Sequence, residues 1–330
     1  MRQFAFSHEV AGWLGDLMRY DLIRYEPSGC RFSVSQQPGN QEETLMSKVV
    51  LITGGSRGIG AATALLAAQR GYDVAISYRQ NAAEAERVVR SIEQTGQRAI
   101  AIQADVTDAD AIAQLFTQVD AAFGRLDALI NSAGIGWSGR IDSVDAHSLQ
   151  ALFATNVFGT VLASREAIKR LSTGAGGHGG VIINISSMAA TIGGRPGSAL
   201  YAATKAAVDT FTTGLAKEVA AEGIRAISVR PGFTRTDMTG AAIADPVIAA
   251  AIVATIPQAR AAEVAEIAAP IVWLLSDEAS FISGAHLDIS GGGFHIGGQF
   301  PNHQFATDPR LTARSDPGLT AQNHAVADPA

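Results

Sequence analysis

The stretch YAATK places Tyr201 and Lys205 four residues apart in a segment rich in helix-forming residues. In a helix this spacing puts both side chains on one face, one turn apart. A free phenol has a pKa of about 10 and moves protons poorly near neutrality, but a neighbouring ammonium group favours the phenolate. The pair therefore predicts a general acid/base, and the alternative is a surface contact between a tyrosine and a lysine.

Three further polar residues are placed to assist such a tyrosine. Ser186 and Ser187 follow an apolar run, and one of these hydroxyls can hydrogen-bond a substrate carbonyl beside Tyr201. We favour Ser187. Asn156 lies inside an expected helix, where it either bonds back to the helix backbone or holds a water in a proton relay. No G-x-S-x-G motif surrounds these two serines and no base lies near them in the sequence, which argues against a hydrolase.

The stretch TGGSRGIG, Thr53–Gly60, follows an apolar run and opens a helical pattern. Gly54 permits a tight turn, Gly58 lets the backbone approach a pyrophosphate, and Gly60 lets the helix pack closely on a sheet. Because strand and helix patterns surround it, the motif predicts dinucleotide binding rather than an ordinary strand–helix turn.

The end of the second apolar run distinguishes NAD from NADP. A carboxylate there would bind the ribose 2′-hydroxyl, but the run ends ISYRQN and the next carboxylate is Glu84. Arg79 and Arg57 can both reach a 2′-phosphate, so the sequence predicts NADP(H), with NAD(H) less favoured. The alternative is that both arginines are solvated surface charges. Asp105, after the third run, is placed to meet the adenine or to cap the next helix.

Two periodicities alternate from Lys48 onward. Seven short apolar runs, KVVLIT the first and AHLDIS the last, are separated by helical patterns long enough for crossover connections. One of these helices is expected to run from about residue 144 to residue 171. The alternation predicts βαβ units, a parallel sheet buried on both faces, and a single domain over residues 46–292.

Composition limits the classes of protein that this chain can form. Hydrophobic residues make up 47% and charged residues 17% of the 330, so a large buried core is possible. The net charge of −6 gives no reason to expect a nucleic acid or an anionic membrane as partner. The single cysteine, Cys30, cannot form a disulfide framework or a cysteine-rich metal site. The sequence therefore predicts a protein without a metal site. Because no apolar stretch is long enough to span a bilayer, it also predicts a cytoplasmic protein.

The two ends of the chain follow neither periodicity. Residues 1–45 are expected to be a mobile extension or a mis-assigned start, with the working protein beginning at Met46. The minority interpretation is a lid or partner-binding element, because WLGDLMRYDLI is apolar enough to dock. Residues 293–330 carry proline-containing breaks and little bulk, and are predicted to be a disordered tail.

Taken in order, these motifs resemble those of the short-chain dehydrogenase/reductase family. The resemblance rests on the glycine loop, NSAG (Asn131–Gly134), Asn156, the two serines, YAATK and RPG (Arg230–Gly232), and covers essentially all of residues 47–292. The stretches SSMAATIGG, GLAKEV and WLLSDEAS are most similar to its glucose-dehydrogenase-like and 3-oxoacyl-ACP-reductase-like branch. The resemblance implies a Rossmann-type doubly wound sheet of seven parallel strands flanked by helices. It also implies a nicotinamide cofactor and carbonyl–alcohol interconversion by hydride transfer.

Position by position, the resemblance assigns roles to this chain's residues. Ser187 would orient the carbonyl and Tyr201 would be the general acid/base. Lys205 would lower the pKa of the tyrosine and hold the nicotinamide ribose, and Asn156 would complete a proton relay. Thr236 corresponds to a family position that contacts the carboxamide side of the cofactor. The implied cofactor-binding residues are Gly54, Ser56, Arg57, Gly58, Ile59, Gly60, Tyr78, Arg79, Asp105, Val106, Asn131, Ala133, Gly134, Tyr201, Lys205, Pro231, Gly232, Thr234 and Thr236.

The sequence departs from the family pattern at two places. Ser132 stands where the family usually has a second asparagine, and a small polar residue should be tolerated there. The spacing from Ser187 to Tyr201 is 14 residues, one more than is common, and Met188 stands where a hydroxyl is often found. The loop between them is therefore expected to bulge by one residue.

The substrate pocket would be walled by residues 188–198 and 233–257. The second segment is apolar and predicts either a lid over the site or a helix packed on the core. Its larger apolar residues are Met238, Ile243, Val247 and Ile252. A sugar, a 3-oxoacyl thioester and a small aromatic ketone all stay open as substrates.

Two expectations concern partners and the rival function. The implied partners are a small-molecule carbonyl or alcohol and a second copy of the chain. A homodimer or homotetramer would form through the long helices and the final strand. The rival is a non-catalytic NADP-sensing regulator on the same fold. Such proteins usually lose the tyrosine or the lysine, and this chain has both.

Overall fold

The computed structural model describes residues 47–293, so the predictions for residues 1–45 and 294–330 lie outside the described residues. Seven strands form one sheet in the order β3-β2-β1-β4-β5-β6-β7, and every neighbouring pair is parallel. The strands are β1 (Val49–Thr53), β2 (Asp73–Tyr78), β3 (Ala99–Gln103), β4 (Ala128–Asn131), β5 (Gly180–Ile185), β6 (Ile224–Pro231) and β7 (His286–Ile289). The predicted parallel sheet, and the seven strands that the resemblance implies, are confirmed.

Helices cover both faces of the sheet. They are α1 (Gly58–Gln69), α2 (Ala82–Glu93), α3 (Ala109–Phe123), α4 (Ala146–Phe153), α5 (Gly159–Leu171), α6 (Ala189–Ile192), α7 (Ala199–Val219), α8 (Gly240–Ala244), α9 (Pro246–Val253) and α10 (Val264–Leu274). Within residues 47–293, no helix is both long enough and apolar enough to cross a membrane.

The core lies in two layers, one on each face of the sheet. In β1, Val50 and Ile52 pack with α1, α2 and α10, whereas Val49 and Leu51 pack with α3, α5 and α7. All four side chains are fully buried. Burial on both faces explains why the strands are continuous apolar runs rather than alternating patterns.

The expected single helix over about 144–171 is interrupted. A π-helical turn, Ala154–Phe158, separates α4 from α5. Asn156 lies in this turn and is 1% exposed, and its amide contacts the loop after β4. The predicted helix is confirmed over residues 146–171, but its π turn was not predicted, because a π turn leaves no mark in the apolar periodicity. Such single turns are frequent at functional sites.

The strand order reverses between β1 and β4, because β2 and β3 lie on one side of β1 and the later strands on the other. In open parallel sheets, ligands bind in the crevice beyond the carboxyl ends of the strands at this point. The glycine loop follows β1 and NSAG follows β4, so both motifs open onto the crevice.

Candidate active site and dinucleotide cleft

One large cavity, of about 1220 Å³, lies at the carboxyl ends of the strands. It has two ends, which we call the glycine-loop end and the catalytic end. Of the residues predicted to bind cofactor or to act in catalysis, the following line it: Gly54, Ser56, Arg57, Gly58, Ile59, Gly60, Tyr78, Arg79, Asp105, Val106, Ala133, Gly134, Ser187, Tyr201, Lys205, Pro231, Gly232, Thr234 and Thr236. Asn131 and Asn156 do not line the cavity, and both lie behind its wall.

Tyr201 and Lys205 lie one turn apart on α7, as their spacing predicts. The Lys205 ammonium lies 5.7 Å from the centre of the Tyr201 ring and donates a 2.8 Å hydrogen bond to the carbonyl of Ile185 at the end of β5. Burial lowers the pKa of Lys205 to about 8, and the negative charge of Asp209 partly offsets this effect. Lys205 is thus anchored to the sheet beside the phenol.

The pKa of Tyr201 is raised above its ordinary value of 10.0, chiefly by burial, while a hydrogen bond with Ser187 acts in the opposite direction. The net shift is opposite to the downward shift that the sequence predicts from the lysine alone, because desolvation of the phenolate is the larger effect. A phenol with a raised pKa stays protonated at neutral pH. It is therefore ready to donate a proton rather than to accept one.

The two serines after β5 have different environments. Ser186 is 3% exposed, and its hydroxyl donates a 3.1 Å hydrogen bond to the backbone carbonyl of Lys205. Ser187 lines the cavity together with Tyr201, acts to lower the pKa of that phenol, and accepts a 3.1 Å hydrogen bond from the Ala189 amide at the start of α6. The geometry thus brings Ser187, and not Ser186, to the phenol.

Asn156 does not bond back to its own helix, so that alternative is wrong. Its Oδ1 accepts a 2.8 Å hydrogen bond from the Ile135 amide, and its Nδ2 donates to the Ile135 carbonyl at 2.9 Å. The same Nδ2 donates to Thr204 Oγ1 at 3.1 Å. Asn156 therefore ties the loop after β4 to α7. A methyl group added at Gly134 would lie 3.4 Å from Asn156 Oδ1 and 3.6 Å from Lys205 Nζ, so the amide lies just behind the catalytic end.

Asn131 was assigned to cofactor binding, and the structure places its side chain inside the protein instead. Its Nδ2 donates to Asn184 Oδ1 at 2.8 Å and to Ser164 Oγ at 3.1 Å. The side chain is 4% exposed. It cross-links β4 to β5 and α5, because a strand residue whose side chain points to the helix layer cannot also face the crevice.

At the glycine-loop end, backbone rather than side chains forms the wall. Gly54 has a φ of +66°, and a Cβ added there would lie 2.8 Å from the Ala133 Cα. A Cβ at Gly60 would lie 2.5 Å from the Gly54 carbonyl oxygen. Only glycine fits these two contacts, and they leave the start of α1 open to the cavity. A helix N-terminus that opens into a cleft fits the pyrophosphate of a dinucleotide.

Beyond the glycine loop, Tyr78 ends β2, Arg79 follows it and Asp105 follows β3, and all three line the cavity. Asp105 does not cap α3, so that alternative is wrong. Its Oδ1 accepts hydrogen bonds from Thr107, while Asp108 caps the helix. The Arg57 guanidinium lies 3.3 Å from an Asp237 carboxylate oxygen, in an ion pair with both side chains 71% exposed.

Apolar side chains wall the catalytic end. Those that line it are Ile135, Trp137, Met188, Ile192, Phe233 and Met238. No residue of α9 is buried, so the alternative of a helix packed on the core is wrong for this segment. Met238 approaches the loop after β4, since a Cβ at Gly136 would lie 3.5 Å from its Cγ. Segment 237–244 thus forms a wall of the cavity.

One basic side chain joins the two walls that the sequence predicted for the substrate pocket. Arg195, in the loop between α6 and α7, donates a 3.1 Å hydrogen bond to Thr255 Oγ1, just past α9. Burial lowers the pKa of Arg195. Pro196 and Gly197 form a turn closed by the Ser198 amide on the Arg195 carbonyl. The loop thus contains the single helical turn α6 and this turn, while its one-residue bulge relative to the family stays a prediction.

Sequence reasoning missed three residues that support or wall the catalytic end. These are Trp137, Thr204 and Asp209. A signal was available for Asp209, because it lies four residues after Lys205 and so continues the stripe of Tyr201 and Lys205 on one helix face. Thr204 gave no such signal, since its partner Asn156 is 48 residues away in the chain.

Comparison with known proteins shows a match to one family profile and similarity to three proteins. A sequence profile described as "short chain dehydrogenase" matches residues 48–246. The chain is 45% identical over 246 residues to "Uncharacterized oxidoreductase YgfF" of Escherichia coli, which covers 74% of this chain and 99% of that relative.

Two solved structures carry nicotinamide cofactors. A short-chain dehydrogenase from Burkholderia cenocepacia in complex with NADP is 39% identical, with a TM-score of 0.69 over 74% of this chain and 97% of that one. A 3-ketoacyl-(acyl-carrier-protein) reductase from Brucella melitensis, complexed with NADH, is 32% identical, with a TM-score of 0.67 over 74% and 97%.

Proposed function

The chain belongs to the short-chain dehydrogenase family, and from that premise we propose that it is an NADP(H)-dependent oxidoreductase interconverting a carbonyl and a secondary alcohol. One observation supports the proposal above all others. Tyr201 and Ser187 line one end of a cavity whose other end is formed by the glycine loop. A proton donor and a dinucleotide site thus share one cleft.

In the proposed reduction, the chain's own residues hold the carbonyl oxygen and give it a proton. Ser187 and Tyr201 both hydrogen-bond that oxygen, which positions the carbonyl and polarises it. When bound, the nicotinamide supplies the hydride that the carbonyl carbon accepts. Tyr201 then donates its proton to the oxygen, so that one hydride and one proton convert the ketone or aldehyde into an alcohol. Its raised pKa suits this direction, because the phenol is protonated at neutral pH.

Lys205 has two proposed roles beside the phenol. Its ammonium would hydrogen-bond the ribose next to the nicotinamide, and its positive charge would stabilise the phenolate left after proton transfer. Asn156 would act from behind the wall by fixing the Ile135 backbone and α7, and so complete the path by which Tyr201 is reprotonated.

The preference for NADP(H) rests on the end of β2. Tyr78 and Arg79 line the cavity there, and the nearest carboxylate that follows in the chain is Glu84. A guanidinium favours a 2′-phosphate, whereas a carboxylate at this position would favour the free 2′-hydroxyl of NAD. The other residues expected to bind cofactor would hold the pyrophosphate and the adenine through backbone amides and the ends of β1, β3 and β4.

The substrate would be a small carbonyl compound, and the apolar wall of the catalytic end favours one with an apolar body over a sugar. The Brucella relative is a reductase of 3-ketoacyl groups, which keeps a 3-oxoacyl thioester as a candidate beside an aromatic ketone. The predicted homo-oligomer and cytoplasmic location stay predictions.

The test is NADPH oxidation by the wild type and by Tyr201→Phe, over a panel of ketones, aldehydes, 3-oxoacyl thioesters and sugars. We expect the wild type to reduce at least one carbonyl and the variant to lose roughly 10²–10⁴-fold in kcat, the range of general acid catalysis. Binding of NADPH, followed by its fluorescence, should stay within a few-fold. A wild type that binds NADPH and reduces nothing would favour the sensor, and an unimpaired variant would remove Tyr201 from the mechanism.

A further inference from the structure

Asp209 is a buried carboxylate close behind the catalytic end. It lies one turn after Lys205 on α7, so Tyr201, Lys205 and Asp209 follow one another along a single stripe of the helix. Asp209 is 5% exposed. A carboxylate this far from water persists only when neighbouring groups bind it.

Three groups from two strands hold Asp209 in place. Ser228 on β6 donates a 2.6 Å hydrogen bond to Oδ1, and Arg230 on the same strand donates a 2.7 Å bond to Oδ2. The Nδ1 of His286 on β7 lies 3.6 Å from Oδ1. Arg230 also lies 3.5 Å from Asp288 on β7, so that these charges form one small network.

This network is part of a row of polar residues that crosses the sheet. Adjacent strands pair Thr53 with Asn131, Asn131 with Asn184, Asn184 with Ser228, and Ser228 with His286. Hydroxyl groups of α7 complete it. Thr212 accepts a 2.9 Å hydrogen bond from Asn184, and Thr213 lies 2.9 Å from His286 Nε2. The row fixes α7 on the sheet. Because Asp209 is held by this row, its carboxylate charge lies within one helical turn of Lys205.

Lys205 needs such a charge. Its ammonium is buried, and its one hydrogen bond among the described residues is to the Ile185 carbonyl. Burial lowers its pKa to about 8, and Asp209 is the group that raises it. Fully buried lysines without a nearby carboxylate can titrate at about 5–6, which would leave them neutral under most conditions of catalysis.

We propose that Asp209 is a positioning residue that keeps the Lys205 ammonium charged and fixes its place on α7. The proposal rests on the proposed function only for its consequence in catalysis. The charged and titratable groups that face this pair are Tyr201 on α7, Arg230 on β6, and His286 and Asp288 on β7. The positive charge of Arg230 opposes the effect, whereas the Asp209 carboxylate shares α7 with Lys205 and lies one turn away.

The direct test is the pKa of Lys205 itself, measured by NMR on protein labelled with ¹³C at the lysine Cε. The chain contains only Lys48, Lys169, Lys205 and Lys217, so four signals are expected, and Lys205→Arg assigns the relevant one. In the wild type Lys205 should titrate with a pKa of about 8. In Asp209→Asn its pKa should fall by about 1 or more, since an opposite charge is lost one turn away.

The matched control is Asp288→Asn, which removes a carboxylate from the same Arg230 without touching α7. This control should leave the pKa of Lys205 unchanged. The conservative variant Asp209→Glu should keep the pKa close to its wild-type value. A Lys205 pKa of about 5–6 in the wild type would overturn the proposal even if Asp209→Asn failed to fold. Lys205 would then titrate like a buried lysine that has no carboxylate nearby. An Asp209→Asn protein that folds with an unchanged Lys205 pKa would overturn it as well.

Activity adds a second readout. Once a substrate is known, the alkaline limb of the kcat profile of Asp209→Asn should move about 1 pH unit toward acid, and Asp288→Asn should not move it. If no substrate is found, the titration of Lys205 still decides whether Asp209 has this role. The proposal for Asp209 and the proposed oxidoreductase function can therefore fail separately.

Discussion

The two ends of the cavity are built from different parts of the chain. At the glycine-loop end the wall is backbone, and its shape depends on contacts that no side chain would allow, such as the 2.5 Å from a Cβ at Gly60 to the Gly54 oxygen. Its charged side chains are loosely held; Arg57 is 71% exposed in its ion pair. At the catalytic end, Lys205, Asn156 and Ser186 are buried polar side chains, each fixed by hydrogen bonds.

Because of this difference, the two ends of the cavity should be sensitive to different kinds of substitution. The glycine-loop end recognises a cofactor through backbone amides and should fail when a side chain is added. The catalytic end places a few reactive atoms and should fail when one polar atom is removed, because a buried network loses its partners one by one.

After Tyr201→Phe, the largest effect should come from Ser187→Ala at the catalytic end. Removing a hydroxyl that holds the reacting oxygen is expected to lower kcat by about 10²–10³-fold, while binding of NADPH stays unchanged. The measurement is steady-state kinetics with the best substrate of the panel, together with a fluorescence titration of NADPH.

Ser186→Ala is the matched control, because it deletes the same atom from the neighbouring residue. That hydroxyl donates to the Lys205 carbonyl, so its loss should cost about 1 kcal/mol of unfolding free energy and leave kcat within a few-fold. If Ser186→Ala proved to be the inactive variant, Ser186 would be the reacting hydroxyl and the assignment of Ser187 would be wrong.

The next effect should come from Gly60→Ala at the glycine-loop end. The added methyl group meets the Gly54 oxygen and the Gly55 Cα, at 2.5 and 3.1 Å, so the loop must move. Overpacking of this kind costs about 1–3 kcal/mol. We expect the dissociation constant for NADPH to rise roughly 10–100-fold.

Gly214→Ala on α7 is the control for Gly60→Ala. It tests whether the loss of NADPH affinity comes from the crowded position of Gly60 or from any glycine-to-alanine change. No atom lies within 4 Å of a Cβ there, so the change should stabilise the helix by about 0.5–1 kcal/mol without weakening NADPH binding. Equal NADPH affinities for the two variants would contradict the close-contact argument.

The same difference explains how much the sequence could predict. The sheet and the glycine loop were predictable because local patterns set them: apolar runs give strands, and glycines mark turns and close contacts. The stripe of Tyr201 and Lys205 was predictable too, because helical spacing alone places the two side chains.

The partners of these residues were not predictable in the same way. Asn156 meets Ile135 and Thr204 from positions 21 and 48 residues away, and only the tertiary structure brings them together. The direction of the Tyr201 pKa shift depends on burial, which a four-residue motif does not report. Asn131 was assigned to the cleft from its motif, but the direction of its side chain is set by the strand register.

The smallest effect should distinguish the two arginines at the glycine-loop end. Arg79 lines the cavity at the end of β2, whereas Arg57 is paired with Asp237 at 3.3 Å. If Arg79 binds the 2′-phosphate, Arg79→Ala should raise the KM for NADPH about 10-fold or more, since charge-assisted hydrogen bonds contribute about 1.5–3 kcal/mol. The KM for NADH should barely change. Arg57→Ala should cost less, because that guanidinium must first leave an exposed ion pair worth about 0–1 kcal/mol. Equal losses for NADPH and NADH in Arg79→Ala would show that the end of β2 does not select the cofactor.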